Sequence, residues 1–106
     1  MTDWKKLSIY TSAGSRWGTR PLHEAALAIA LERGLYSAIA VEAQAGFGPY
    51  LAIPTANRKA MASDLPIEVR IVDQAPAIEA FLAQEAEMLQ RCIVTLEDIE
   101  IVQYPA

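Results

Sequence analysis

The sequence predicts an α+β fold, and three observations carry that expectation. Apolar and polar residues alternate in four separate stretches, the period of a strand with one buried face. Two other stretches space their apolar residues as a helix does, one behind Pro21 and one behind Pro76. With 106 residues, 53% of them apolar, the chain can bury one core as a single domain, 1–106, without metal or disulfide support.

The elements follow in order. Residues 6–11 read as the first strand, with Leu7 and Ile9 alternating with Ser8 and Tyr10. Residues 11–18, small and polar, read as a loop. A helix starts at Pro21, whose missing N–H is no loss in a first turn. Leu22, Ala26, Ile29 and Ala30 form its core stripe, and Gly34 stops it. Residues 37–45 read as the second strand, with Ile39, Val41 and Ala43 toward the core and Ala38, Ala40 and Glu42 away. Gly46-Phe47-Gly48-Pro49 breaks that strand. Residues 49–63, with Pro54 and Asn57, show no period, and structureless stretches of this length in small domains are usually functional. The third strand is 65–72, with Leu65, Ile67, Val69 and Ile71 inward and Glu68 and Arg70 outward. The second helix is 77–91. Its stripe runs through Ile78, Phe81, Leu82, Met88, Leu89 and Cys92, with Glu85 the polar exception. The last strand is 97–104, with Ile99 and Ile101 inward and Glu100 outward.

The order β-α-β-β-α-β closes most simply as a ferredoxin-like arrangement, a four-stranded antiparallel sheet with both helices on one face. Each strand–helix–strand unit then crosses over right-handed, as nearly all do. The uncovered face would then show Ser8, Tyr10, Ala40, Glu42, Glu68, Arg70, Glu100 and Val102. Alanines and a tyrosine gain nothing from water, so this face is expected to be a subunit interface.

Charge and composition exclude several classes. A net charge of −4 argues against nucleic acid as a partner. No apolar run approaches the ~20 residues of a membrane span, so direct membrane insertion is not expected. The polar start, Met1 to Lys6, leads straight into a strand without a signal peptide, and the expectation is cytoplasmic. One cysteine and one histidine exclude an internal disulfide and the common zinc sites. Neither His23 nor Cys92 belongs to a nucleophilic set, and Cys92 reads as filler of a small buried space. Glu97, Asp98 and Glu100 read as an acidic strand start rather than a cation site. Six of the nine basic residues lie in two acid-free stretches: Lys5, Lys6, Arg16 and Arg20 in one, Arg58 and Lys59 in the other. If the two stretches meet, they can hold a small anion.

Four motifs in order resemble a family of small PII-like proteins. They are Arg16-Trp17-Gly18-Thr19-Arg20-Pro21-Leu22-His23-Glu24-Ala25; Ala45-Gly46-Phe47-Gly48; Asp64-Leu65-Pro66-Ile67-Glu68-Val69 with Val72-Asp73; and Val94-Thr95-Leu96-Glu97-Asp98. The similarity spans residues 6–104. It implies a ferredoxin-like homotrimer whose inter-subunit clefts hold an adenine nucleotide. It also implies a regulatory T-loop, here about 47–64, that acts on a partner such as a membrane transporter. Gly46, Phe47 and Gly48 match the opening of that loop, where glycines let the backbone approach a ligand closely. Arg16, Arg20 and Arg58 are then the candidate phosphate contacts. Pro49 and Tyr50 stand where PII proteins carry arginine and glutamine. The lysine-bearing glycine loop before the last strand is absent. Both departures favour AMP or ADP over ATP, as an effector and not a catalytic cofactor. They leave open which nucleotide binds and whether bicarbonate accompanies it. The expectation is a non-enzymatic regulator. The alternatives are a small enzyme of the dimeric α+β barrel type, disfavoured because the inward positions are almost all aliphatic, and a structural trimer without ligand.

Overall fold

The computed structural model describes residues 3–51 and 64–105. Strand β1 (Trp4–Ser12) is followed by two short strands, β2 (Arg16–Trp17) and β3 (Arg20–Pro21), and by helix α1 (Leu22–Glu32). Strand β4 (Ser37–Glu42), strand β5 (Pro66–Gln74), helix α2 (Ala75–Gln84), a 3-10 turn (Met88–Arg91) and strand β6 (Ile93–Ile99) complete the order. The main sheet runs β4-β5-β1-β6 with every neighbouring pair antiparallel. This is the expected ferredoxin-like βαββαβ sheet.

The core sits between that sheet and both helices. Leu7 and Ile9 of β1 lie opposite Ile71 and Val69 of β5, and all four are fully buried. Leu22, Ala25, Ala26 and Ala30 of α1 and Ile78 and Phe81 of α2 cover them on one face. The alanines let α1 lie close to the sheet, and packing of this face supplies most of the helix's stability. Gly34 ends the helix at φ 70°, a left-handed position that glycine takes without strain. Met88 and Leu89 extend the core past the end of α2. Glu85, the polar residue in that apolar stripe, pairs with Arg33 at 2.6 Å and so ties the end of α2 to the end of α1.

Four boundaries or faces differ from expectation, each for a physical reason. The 11–18 stretch is not a plain loop, because β1 continues to Ser12 and Arg16–Trp17 pairs with Arg20–Pro21 around a tight turn. Gly18, at φ 66°, makes that two-residue turn possible. The second helix stops at Gln84, and the helical spacing of Met88 and Leu89 is carried by the 3-10 turn. The last strand therefore starts at Ile93 and ends at Ile99 instead of running 97–104, with Val94 rather than Ile99 or Ile101 packed on the core.

The fourth difference is the face of β4. Ala38 pairs with Ile71 and packs on the core, while Ile39 pairs with Arg70 and Val41 with Glu68 on the uncovered side. Ala40 and Glu42 pair with Val69 and Ile67, and so belong to the helix side. The cross-strand register sets this face, with Ala38 opposite Ile71 and Ile39 opposite Arg70, and a cavity of about 320 Å³ lined by Leu27, Leu31, Leu35, Tyr36 and Ala38 stays open at this edge. The bulkier Ile39 and Val41 consequently stand 50% and 39% exposed.

Candidate functional site

Two turns define the chemistry-bearing end of the molecule. The first follows β1. Asp64, fully buried, accepts a hydrogen bond from the Gly14 N–H at 2.8 Å, and the Ala13 N–H donates to the Leu65 carbonyl at 2.9 Å. The Leu22 N–H donates to the Ser15 carbonyl at 2.9 Å, and the Ser12 and Ser15 hydroxyls meet at 3.0 Å. These bonds fix Ser15 and Arg16 between the entry to β5 and the start of α1.

The second turn follows β4. Beyond Glu42 the Ala43 N–H still donates to the Pro66 carbonyl at 2.9 Å, so the chain stays against β5 as it reaches Gly46. A Cβ on Gly46 would lie 3.1 Å from Pro66 Cγ, and one on Gly48 would lie 2.5 Å from the Tyr50 ring. Glycine at both positions lets the backbone pass between the two rings. Phe47 between them is 73% exposed, a large apolar ring held out from the surface.

A cavity of about 340 Å³ opens beside this turn on the uncovered sheet face. Tyr10, Val41, Gly46, Phe47, Tyr50 and Arg70 are among its lining residues. The rings of Tyr10 and Tyr50 lie 5.9 Å apart. Arg70 Nη2 donates to Glu68 Oε1 at 3.2 Å. Its Nε lies 3.1 Å from Oε2 but is too poorly aligned to hydrogen bond there, and this buried nitrogen has no other partner. The bond from Arg70 is the main reason the Glu68 carboxyl is held below the usual carboxylate range, with the Ser8 hydroxyl adding to it. The same bond raises the Arg70 guanidinium further.

Tyr50 also lines a second cavity, about 550 Å³, on its other side. There Gly14, Ser15 and Arg16 of the first turn face Pro49, Leu51 and Arg91. Of the candidates from sequence, Gly46 and Phe47 thus stand in the sheet-face cavity and Arg16 in the second. Gly48 abuts Tyr50, and Arg20 is exposed opposite Trp17 in the β2–β3 hairpin. Arg58 lies outside the described residues, as does most of the 47–64 segment. Tyr10, Tyr50, Arg70 and Arg91 join the candidates from the structure alone. Tyr10 and Arg70 had a signal, since both alternate onto the uncovered face. Arg91 had none, because its position follows from where α2 stops. Among the described residues no group of three or more histidine, cysteine, aspartate or glutamate side chains is arranged to hold a metal. No helix there is long and apolar enough to cross a membrane.

The model of one family matches residues 4–101, nearly the whole chain. The chain belongs to the DUF190 family, described as "Uncharacterized ACR, COG1993". A relative from Aquifex aeolicus (strain VF5), named a UPF0166 protein, is 34% identical over 98 residues, which is 92% of each chain. Among solved structures, this DUF190 chain is similar to CPII from Thiomonas intermedia K12 bound to ADP, AMP and acetate. The TM-score is 0.67 at 16% identity, covering 96% of this chain and 91% of that one. CPII bound to ADP and bicarbonate gives a TM-score of 0.64 at 16% identity, over 95% and 90%. A further structure describes CPII as a nitrogen regulatory PII-like protein. At this identity the likeness is one of fold, and it agrees with the PII-like resemblance in the sequence.

Proposed function

We propose that this DUF190 protein is a non-enzymatic, PII-like regulator that binds an adenine nucleotide, AMP or ADP in preference to ATP, at clefts between the subunits of a homotrimer. The observation that carries the reading is the sheet-face cavity beside Gly46 and Phe47, in a fold whose solved relatives hold ADP and AMP. The cavity lies on the sheet face that no helix covers, where a second subunit would complete its walls. The exposed Ile39 and Val41 on the same face favour such a neighbour. Glycine backbone and the Phe47 and Tyr50 rings supply close approach and stacking surface for a base and ribose. Arg16, Arg20 and Arg58 are the proposed phosphate contacts. The segment about 47–64 is the proposed contact with a regulated partner, such as a membrane transporter.

Calorimetry with AMP, ADP and ATP, each with and without bicarbonate, tests the reading. Saturable binding of AMP or ADP at micromolar concentration, weakened at least tenfold by Gly46→Val, is the expected result. Absence of binding below millimolar concentration for all three would overturn it and leave a structural trimer as the better reading.

A further inference from the structure

The uncovered sheet face is not bare along its whole length. Trp4 opens β1 and lies opposite Gln74 of β5 and Ile99 of β6. The register of β1 is unbroken, so Trp4 stands on the same side as Lys6, Ser8 and Tyr10, away from the helices. It is nevertheless only 7% exposed, although it stands apart from the core between sheet and helices. Ile39, Val41 and Ile93 on the same side are all exposed.

Two tyrosines from opposite edges of the sheet meet Trp4. Tyr36, just before edge strand β4, places its ring 5.0 Å from that of Trp4 at 69°. Tyr104, beyond edge strand β6, lies 5.9 Å from it at 59°, and the two tyrosine rings are 6.1 Å apart at 82°. Tilted and edge-on contacts at these separations are favourable for aromatic rings. Residues 100–105 belong to no helix or strand, and Val102 is 89% exposed. The tail thus reaches from the β6 edge to a residue beside the β4 edge, with Tyr104 as its aromatic anchor.

A segment outside the ladder, anchored by a half-exposed ring, can open without unfolding the domain. Open, it adds the Trp4 and Tyr36 rings to the apolar surface of Ile39 and Val41. Closed, it stands where a neighbouring molecule would sit on that end of the sheet, and it keeps the indole out of water in the separate chain.

We propose that residues 100–104 form a strap, anchored by Tyr104 on Trp4 and Tyr36, that competes with a second copy of this chain for this end of the uncovered face. The proposal rests on the reading of that face as the subunit interface. Association then requires the strap to open, and its apparent strength is reduced by the fraction of chains in which the strap is open.

The test uses the full chain carrying Trp17→Phe, which leaves Trp4 as the remaining tryptophan of the two. Fluorescence is read with Ile39→Arg added, a cation on the uncovered face that keeps the chains separate. There Tyr104→Ala is expected to move Trp4 emission to longer wavelength and to raise its quenching by acrylamide at least twofold. Without Ile39→Arg, sedimentation velocity across a dilution series should place the assembly midpoint of Tyr104→Ala at a concentration at least fivefold lower than that of its parent. Tyr104→Phe keeps the ring and should match the parent in both measurements. Tyr104 is exposed and beyond the last strand, so circular dichroism melts of both variants should match the parent. Trp4 emission and quenching that Tyr104→Ala leaves unchanged overturn the strap. An exposed Trp4 with the assembly midpoint unchanged or raised overturns the competition while the subunit interface stands. Single chains at every concentration, in parent and variant alike, overturn the interface and the competition together.

Discussion

The two faces of the sheet obey different rules. The helix-covered face holds Leu7, Ile9, Val69 and Ile71 with no exposure at all, and carries an alanine, Ala38, beside an open cavity at its β4 edge. The uncovered face carries Ile39 and Val41 half in solvent, a buried serine, Ser8, and a paired Glu68–Arg70. A face meant only for water has no use for β-branched side chains, and a closed core has no use for an ion pair. The mixture suits the proposed subunit interface, with apolar contact for affinity and charge for register.

The comparison breaks most clearly at Phe81, which is fully buried under the covered face. Phe81→Ala should cost about 3–5 kcal/mol, the usual loss for a buried aromatic. Urea unfolding followed by circular dichroism reads it as a lower midpoint at constant slope. A loss below ~1 kcal/mol would mean that this side of the sheet is not the main core.

The next effect is expected on the other face and in a different observable. Ile39→Arg places a cation opposite Arg70, where the separate chain pays little because position 39 is already half in solvent. In an assembly through this face the same cation would be buried beside a like charge, which is strongly unfavourable. For the proposed trimer, light scattering should therefore change from three chains per particle to one, while far-ultraviolet circular dichroism stays native. An unchanged mass would move the assembly surface elsewhere.

Legibility in the sequence followed this same division. Period-two alternation identified the covered faces of β1 and β5, because Leu7, Ile9, Val69 and Ile71 are aliphatic, alternate with polar neighbours and are fully buried. At β4 bulk and burial part company. Ala38 goes inward because the pairing register with β5 sets it opposite Ile71, a tertiary constraint that no local pattern carries. At β6 the helical spacing of Met88 and Leu89 survives the end of α2, which hid Ile93 as the start of the strand. The site shows the same contrast. Gly46-Phe47-Gly48 is contiguous and could be read directly. Arg16 and Arg91 are far apart in the chain and meet only through the turn fixed by Asp64 and the stop after α2.

Acid sharpens the comparison through the Glu68–Arg70 pair of the uncovered face. Arg70 and Ser8 lower the Glu68 carboxyl in the folded state. Glu68 therefore contributes stability that is fully present above the ordinary carboxylate range and is lost as pH falls through its lowered folded value. Glu68→Gln should remove part of the difference in stability between neutral and acidic solution. Urea midpoints of the variant and wild type should differ at neutral pH and converge at low pH. Parallel curves at all pH values would show that the pair adds nothing in water.

The smallest effect is expected at Cys92, where the covered core meets the start of β6. The thiol is half-buried and packs against the core. Burial raises its pKa, and the opposing hydrogen bond with Thr11 is the weaker influence. The thiolate is the reactive form, so a raised pKa makes this cysteine a poor nucleophile at neutral pH. Iodoacetamide should label it more slowly than glutathione in the same solution, and faster once urea exposes it. Cys92→Ser should leave both oligomeric mass and nucleotide affinity unchanged. Fast labelling of the folded protein would instead mean that the β6 end opens readily, making the closed face less uniform than its buried residues imply.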